Sequence, residues 1–220
     1  MFQTRILGNL RFAVLFVLAI GVPALASRAQ APVFEVTQQD SSINFSVKAS
    51  IPIAGKFDKW DATLKFASPD VTTGSLVIRA QAASVDTGSG MKDGKLRSKD
   101  FFNADHDPYI TFQSSKVVPT GPSTFSIPGT FTIRGVSKPE TLTLTVSGVG
   151  KGSGEIKGTM AFDRRDYGMN SSIPFIHIAN RVEVDVDLHV TRVSGPRLSV
   201  SSLITSTSKG MRASRSRLSR

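Results

Sequence analysis

The sequence predicts an all-β fold: a closed antiparallel barrel of about eight strands, with one short helix inserted around residues 91–102. Three observations carry this reading. Apolar and polar residues alternate in short runs along most of the chain, as half-buried strands require. The alternation breaks once, between Met91 and Phe112, where Leu96-Arg97-Ser98-Lys99-Asp100-Phe101-Phe102 forms a charged amphipathic segment. A length of 220 residues with 40% hydrophobic content suits one domain with a sizeable core, and no mid-chain linker divides it.

Residues 1–26 come first and read as a secretory signal peptide. Arg5 and Arg11 give the positive start, and Phe12 to Val22 is an apolar run too short to span a bilayer comfortably. Ala24-Leu25-Ala26 offers the small residues a signal peptidase needs. Cleavage after Ala31 would leave Pro32 at the new terminus, which is disfavoured, so the expected cut follows Ala26, with an uncleaved anchor as the rival.

The expected barrel domain spans 27–193. Inward positions recur at Ile43, Phe45, Val47 and Ala49, then at Ala62, Leu64 and Phe66, then at Leu76, Ile78, Ala80 and Ala82. After the interruption, Ile110 and Phe112 resume the pattern. Phe125, Ile127, Phe131 and Ile133 follow, with Pro128-Gly129 expected at a bulge or an edge. Leu142, Leu144 and Val146 come next, then Ile156, Met160 and Phe162. The clearest run is the last: Val182, Val184, Val186, Leu188 and Val190, with Glu183, Asp185, Asp187, His189 and Thr191 on the opposite face. Each of these strands must hide an apolar face, and closing the sheet does so while removing its edges. A two-sheet sandwich is the alternative. Lys, Leu and Arg favour helix across the insertion despite Gly94, and Asn103 and Pro108 are placed to end it.

Residues 194–220 are rich in serine and arginine and read as a disordered basic tail. The net charge of +10 belongs mostly to the chain ends. Residues 1–31 carry +3, residues 194–220 carry +6, and the body carries +1. The folded part therefore lacks the footprint of a nucleic-acid binder. The tail leaves room for transient contact with an anionic membrane surface, and a homodimer stays open. Cysteine is absent, which excludes disulfides, thiol catalysis and thiolate metal ligands.

Other patterns weigh little. Gly148 to Gly154 lacks the order of a phosphate loop and sits between two strand runs, as a hairpin loop does. Asp185, Asp187 and His189 could offer metal ligands, but they oppose an aliphatic face and read as the solvated outside of the barrel. Asp105-His106-Asp107 reads as a turn before Pro108, and His106, His177 and His189 lack a partner motif. No metal site and no cofactor are expected.

The body also resembles the YceI-like family of exported lipid- or polyisoprenoid-binding proteins over about 33–192. Asp40-Ser41-Ser42-Ile43-Asn44-Phe45-Ser46-Val47, then Gly55-Lys56-Phe57 with Trp60, resemble its first blocks. Ala83 to Gly88, Asp93, Leu96 to Phe102 and Pro108 to Phe112 resemble its centre. Gly129 to Pro139, including Ile133-Arg134-Gly135-Val136, and then Arg165-Asp166-Tyr167-Gly168-Met169 resemble its later blocks. Family members often carry a histidine beside the first-strand serine and another soon after that strand. Here Ser41 and Ala49 or Ser50 stand there, so no histidine role transfers.

The resemblance implies a lipocalin-like barrel that holds a long amphiphile: a polyisoprenoid, an isoprenoid quinone precursor or a fatty-acyl compound. It implies a periplasmic binding or carrier protein rather than an enzyme. The other classes are a lipid-modifying isomerase or hydrolase, and a stress-related structural barrel without a ligand. Fourteen phenylalanines against one tryptophan and two tyrosines suit a dry tunnel, because phenylalanine brings no polar group that would go unpaired. They would equally suit a solid core. Phe101, Phe102 and Tyr109 are the expected contacts near the insertion, and Phe45, Phe112, Phe131 and Phe162 the expected wall. Trp60, Tyr167 and Met169 are placed at the mouth. Arg97 and Asp100 could pair at helical spacing, or Asp93 or Asp100 could pair with Arg165 to anchor the insertion. Arg97 is also a candidate for a ligand head group.

Overall fold

The computed structural model describes residues 30–148, 150–171 and 177–200. The expected signal peptide and residues 201–220 of the expected tail lie outside these. Eleven strands form one antiparallel sheet: β1 (Val33–Ala49), β2 (Ile53–Phe57), β3 (Trp60–Phe66), β4 (Gly74–Gln81), β5 (Val85–Asp86), β6 (Tyr109–Ser114), β7 (Val118–Pro119), β8 (Thr124–Ile133), β9 (Val136–Ser147), β10 (Ser153–Asp163) and β11 (Ile178–Ser194). Eight of them close the ring, in the order β1-β3-β4-β6-β8-β9-β10-β11 and back to β1. The predicted closed barrel is therefore the observed one. The three others are short. β2 pairs with one end of β1 and β5 in turn with β2, and β7 continues the wall beside β8.

The alternation maps directly onto the interior. Val182, Val186, Leu188 and Val190 of β11 are buried, while Glu183 and Thr191 are exposed. Pro128 brings no bulge, because β8 and β9 stay in register through Pro128↔Thr141. It stands instead where the other neighbour changes from β6, which ends opposite Thr130, to β7, which begins opposite Ser126. No ladder there asks for its missing N–H. The Ser114 hydroxyl takes up the Pro128 carbonyl.

β1 starts ten residues before its clear alternation. Its partners on β11 jump from Thr37↔His189 to Ser42↔Asp187, so residues 38–41 bulge out. Ser41 closes the gap: its hydroxyl accepts from the His189 N–H at 2.8 Å and donates to the Thr37 carbonyl at 2.7 Å. Farther along, Ser50 and His177 join the same two strands, the Ser50 N–H donating to the His177 carbonyl at 3.0 Å.

The inserted helix α1 runs Gly90–Arg97, so it stops short of the predicted residue 102. Ser98 leaves helical geometry and its hydroxyl donates to the Lys95 carbonyl at 2.7 Å. Turns follow, with Asn103 left-handed at φ 54° and the Phe102 N–H on the Leu96 carbonyl at 2.9 Å. Asp105 to Asp107 lie in these turns, as expected. The tail also differs from expectation over its first residues. Past β11, the Ser199 N–H donates to the Pro69 carbonyl at 2.8 Å, and its carbonyl accepts from Val71 at 3.0 Å, so the chain crosses one barrel end in an ordered path. Leu198 and Val200 supply the apolar contacts that hold it.

Candidate ligand-binding cavity

The barrel end that carries α1 encloses an apolar cavity. The space within it open to a water-sized sphere is about 90 Å³. Period-2 alternation supplies the wall, since each ring strand turns every second residue inward. The insertion closes the end with Leu96, Phe101 and Phe102, all buried. Phe45, Phe57 and Phe102 meet there, with ring centroids 5.6 to 6.2 Å apart. Gly55 makes room for this cluster: a Cβ there would come within 2.8 Å of the Phe45 ring and 2.9 Å of the Asp86 carbonyl.

Of the ten residues predicted as ligand contacts, Phe45, Phe101, Phe102, Phe112, Phe131, Phe162 and Met169 line this cavity. Trp60, Tyr109 and Tyr167 do not. Trp60 lies on β3, half-buried, with its carbonyl held by the Gln38 amide at 2.9 Å. Tyr109 is 40% exposed, under the Arg79 guanidinium 4.2 Å from its ring centre. Tyr167 is wholly buried behind the wall, 5.5 Å from the Phe131 ring and 5.1 Å from Phe162. It supports lining residues and is not one itself. Phe57 and the aliphatic wall were not among the predicted contacts. Phe57 could have been found from its alternation with Ile53 and Gly55.

The charged residues are placed differently from their predicted pairings. Arg97 and Asp100 do not pair, because the helix ends at Arg97 and its spacing no longer applies. Arg97 donates to the Val85 carbonyl at 3.2 Å, tying α1 to β5. Asp100 pairs with Lys95 at 2.6 Å, and that hydrogen bond holds its carboxyl below the usual range. Asp93 is buried and accepts from both the N–H and the hydroxyl of Thr87, at 2.8 and 2.7 Å. Arg165 pairs with Asp163 at 3.0 Å rather than with the insertion. The insertion is anchored instead by Arg134, from the turn between β8 and β9. Its guanidinium donates to the Lys99 carbonyl at 2.8 Å and to the Gly168 carbonyl.

Arg164 and Thr111 are the polar members of the lining among the described residues. Arg164 is 8% exposed, and no carboxylate forms an ion pair with it among the described residues. Three carbonyls satisfy it: Ala179 at 3.2 Å, Ser171 at 3.1 Å and Met169. Burial pulls its pKa below the ordinary arginine value. His106, His177 and His189 all lie outside the lining. On the outer face, Glu155, Asp187 and His189 present ligand atoms within 4.8 Å of one another. The Lys157 ammonium sits between the two acids, 2.9 Å from Glu155 and 3.6 Å from Asp187, and already supplies the positive charge.

A model of the YceI-like domain matches residues 34–190. The chain belongs to the YceI-like family. A UPF0312 protein of Vibrio cholerae is 27% identical to this YceI-like chain over 188 residues, covering 80% of it and 96% of the relative. The crystal structure of Burkholderia cenocepacia BcnA superposes with a TM-score of 0.64 at 26% identity, covering 70% of this chain and 99% of BcnA. A polyisoprenoid-binding domain from Saccharophagus degradans superposes with a TM-score of 0.57 at 16% identity, covering 73% of this chain and 99% of that domain, and shows the shared fold. Among the described residues, then, the YceI-like barrel here carries an apolar cavity closed at one end by its helical insertion.

Proposed function

We propose that this chain is a binding or carrier protein for a long-chain amphiphile, an isoprenoid or fatty-acyl lipid whose hydrocarbon part occupies the cavity. The observation that carries this is the wall itself. Apart from Thr111 and Arg164, the described lining residues are all apolar. Such a wall recognises hydrocarbon and disfavours burial of a polar head group. Ten buried methylenes would contribute on the order of 8 kcal/mol before the costs of association. The Saccharophagus degradans domain, which shares the fold, is described as polyisoprenoid-binding, and this supports the same ligand class here.

Binding without chemistry fits the lining. Among the described residues it includes no histidine and no carboxylate to serve as general acid or base. The reading places the protein in the periplasm, on the strength of residues 1–26. A fluorescent fatty acid titrated into detergent-free protein should bind saturably and be displaced by an isoprenoid alcohol. No saturable binding of either would leave a filled, ligand-free barrel as the better account.

A further inference from the structure

A second apolar cavity lies at the opposite end of the barrel, with about 70 Å³ open to a water-sized sphere, and its lining includes Phe34, Leu64, Phe66, Phe125 and Leu198. Among the described residues, the two cavities share no lining residue. The strands show what divides them. Along β11 the inward positions run Val186, Leu188, Val190: the first lines the helix-end cavity, the last lines the far one, and Leu188 lines neither. Along β8, Phe125 belongs to the far cavity and Phe131 to the near one, and Ile127 between them belongs to neither. On β4, Ile78 lines the near cavity, while Leu76 lines neither and stands in register with Leu64 of the far one. Leu76, Ile127 and Leu188 are 2%, 1% and 1% exposed. On β10, Gly158 lies between Ile156 of the far cavity and Met160 of the near one, and a Cβ there would meet Leu144 at 2.8 Å and Leu142 at 3.3 Å. Those two leucines fill the space a side chain would take.

We propose that Leu76, Ile127 and Leu188 form a septum that closes the helix-end cavity and so limits the length of hydrocarbon chain it accepts. This rests on the lipid-binding reading. The septum is made of side chains alone, so trimming one of them joins two apolar spaces without breaking the sheet.

The test is a series of saturated fatty acids of increasing length, titrated into the full chain. In the wild type, each added methylene should tighten binding about fourfold until a break length, beyond which the gain stops. Leu188→Ala should move that break to longer chains. Val190→Ala, which enlarges only the far cavity, should leave it in place. If Leu188→Ala does not fold, the milder Leu188→Val and Ile127→Val carry the test, with a smaller shift in the same direction. A break that stays fixed in folded septum variants, or no break in the wild type, overturns the septum and leaves lipid binding standing. Failure of the wild type to bind any chain length overturns both.

Discussion

Arg134 donates to the Lys99 carbonyl at 2.8 Å, and so links the turn between β8 and β9 to the end of the helical insertion. The same guanidinium reaches the Gly168 carbonyl, so one side chain joins three segments around the cavity end. Its backbone is left-handed, at φ 55°, and Gly135 beside it stands at φ 70°, as a two-residue hairpin turn with this twist requires. Arginine is a costly choice for that backbone, and its two carbonyl contacts offset the strain. Arg134→Ala should lower stability by about 1–3 kcal/mol, and hydrogen exchange should quicken at the amides of residues 101–104. Lysine at 134 should recover little, since it lacks the planar fork that reaches two carbonyls.

Tyr167 makes stability sensitive to alkali. Burial, reinforced by the Glu140 carboxylate 3.0 Å away, holds its pKa far above the ordinary 10.0. In the unfolded chain the phenol ionises near that ordinary value. The folded state then retains a proton that the unfolded state has lost, so the contribution is complete below pH 10 and declines as pH rises beyond it. Thermal melts of wild type and Tyr167→Phe should run parallel below pH 10, and the wild type should fall relative to the variant above it. At the acid end, Asp100 and Asp163 are held low by Lys95 and Arg165, so their stabilisation is present above the ordinary 3.8 and fades as pH drops below it. Both pairs are exposed, so that effect is small and shrinks with salt.

Arg164 shows how a charge can sit in an apolar wall. Its donors go to three carbonyls, on Met169, Ser171 and Ala179, and so tie residues 169–171 to the start of β11. Arg164→Met keeps the stem but orphans those carbonyls. It should cost about 2–4 kcal/mol in denaturant unfolding, more than an exposed arginine such as Arg181 would.

Gly55 controls the shape of the cavity end. An alanine there would push on the Phe45 ring and the Asp86 carbonyl together. Gly55→Ala should destabilise by about 1–3 kcal/mol and weaken lipid binding, because the displaced ring moves within the lining. Unchanged affinity in a folded Gly55→Ala protein would place the ligand away from Phe45.

The proposed export has its own test. Protein recovered from the periplasm of an expressing Gram-negative host should begin at Ser27, read by N-terminal sequencing.

Much of this was legible in the sequence because period-2 alternation depends on burial alone. The β11 run and the buried Leu96, Phe101 and Phe102 of the insertion follow from pattern. What the pattern could not show depends on tertiary partners. Residues 37–42 of β1 are polar and do not alternate, so the bulge held by Ser41 was hidden. The helical spacing of Arg97 and Asp100 in sequence does not survive, because Ser98 leaves the helix between them. Tyr167 looked like a mouth residue because its ring is amphipathic, yet its hydroxyl found Glu140, 27 positions away, and the ring turned inward. Whether an inward residue lines a cavity or a septum is a matter of axial level, which alternation does not encode.

Native mass spectrometry of the protein purified without detergent tests the central claim most directly. The expected spectrum contains a folded species heavier than the polypeptide, and denaturation should release a lipid with a long hydrocarbon chain. A spectrum of bare polypeptide, still bare after incubation with isoprenoid alcohols and fatty acids, would contradict it.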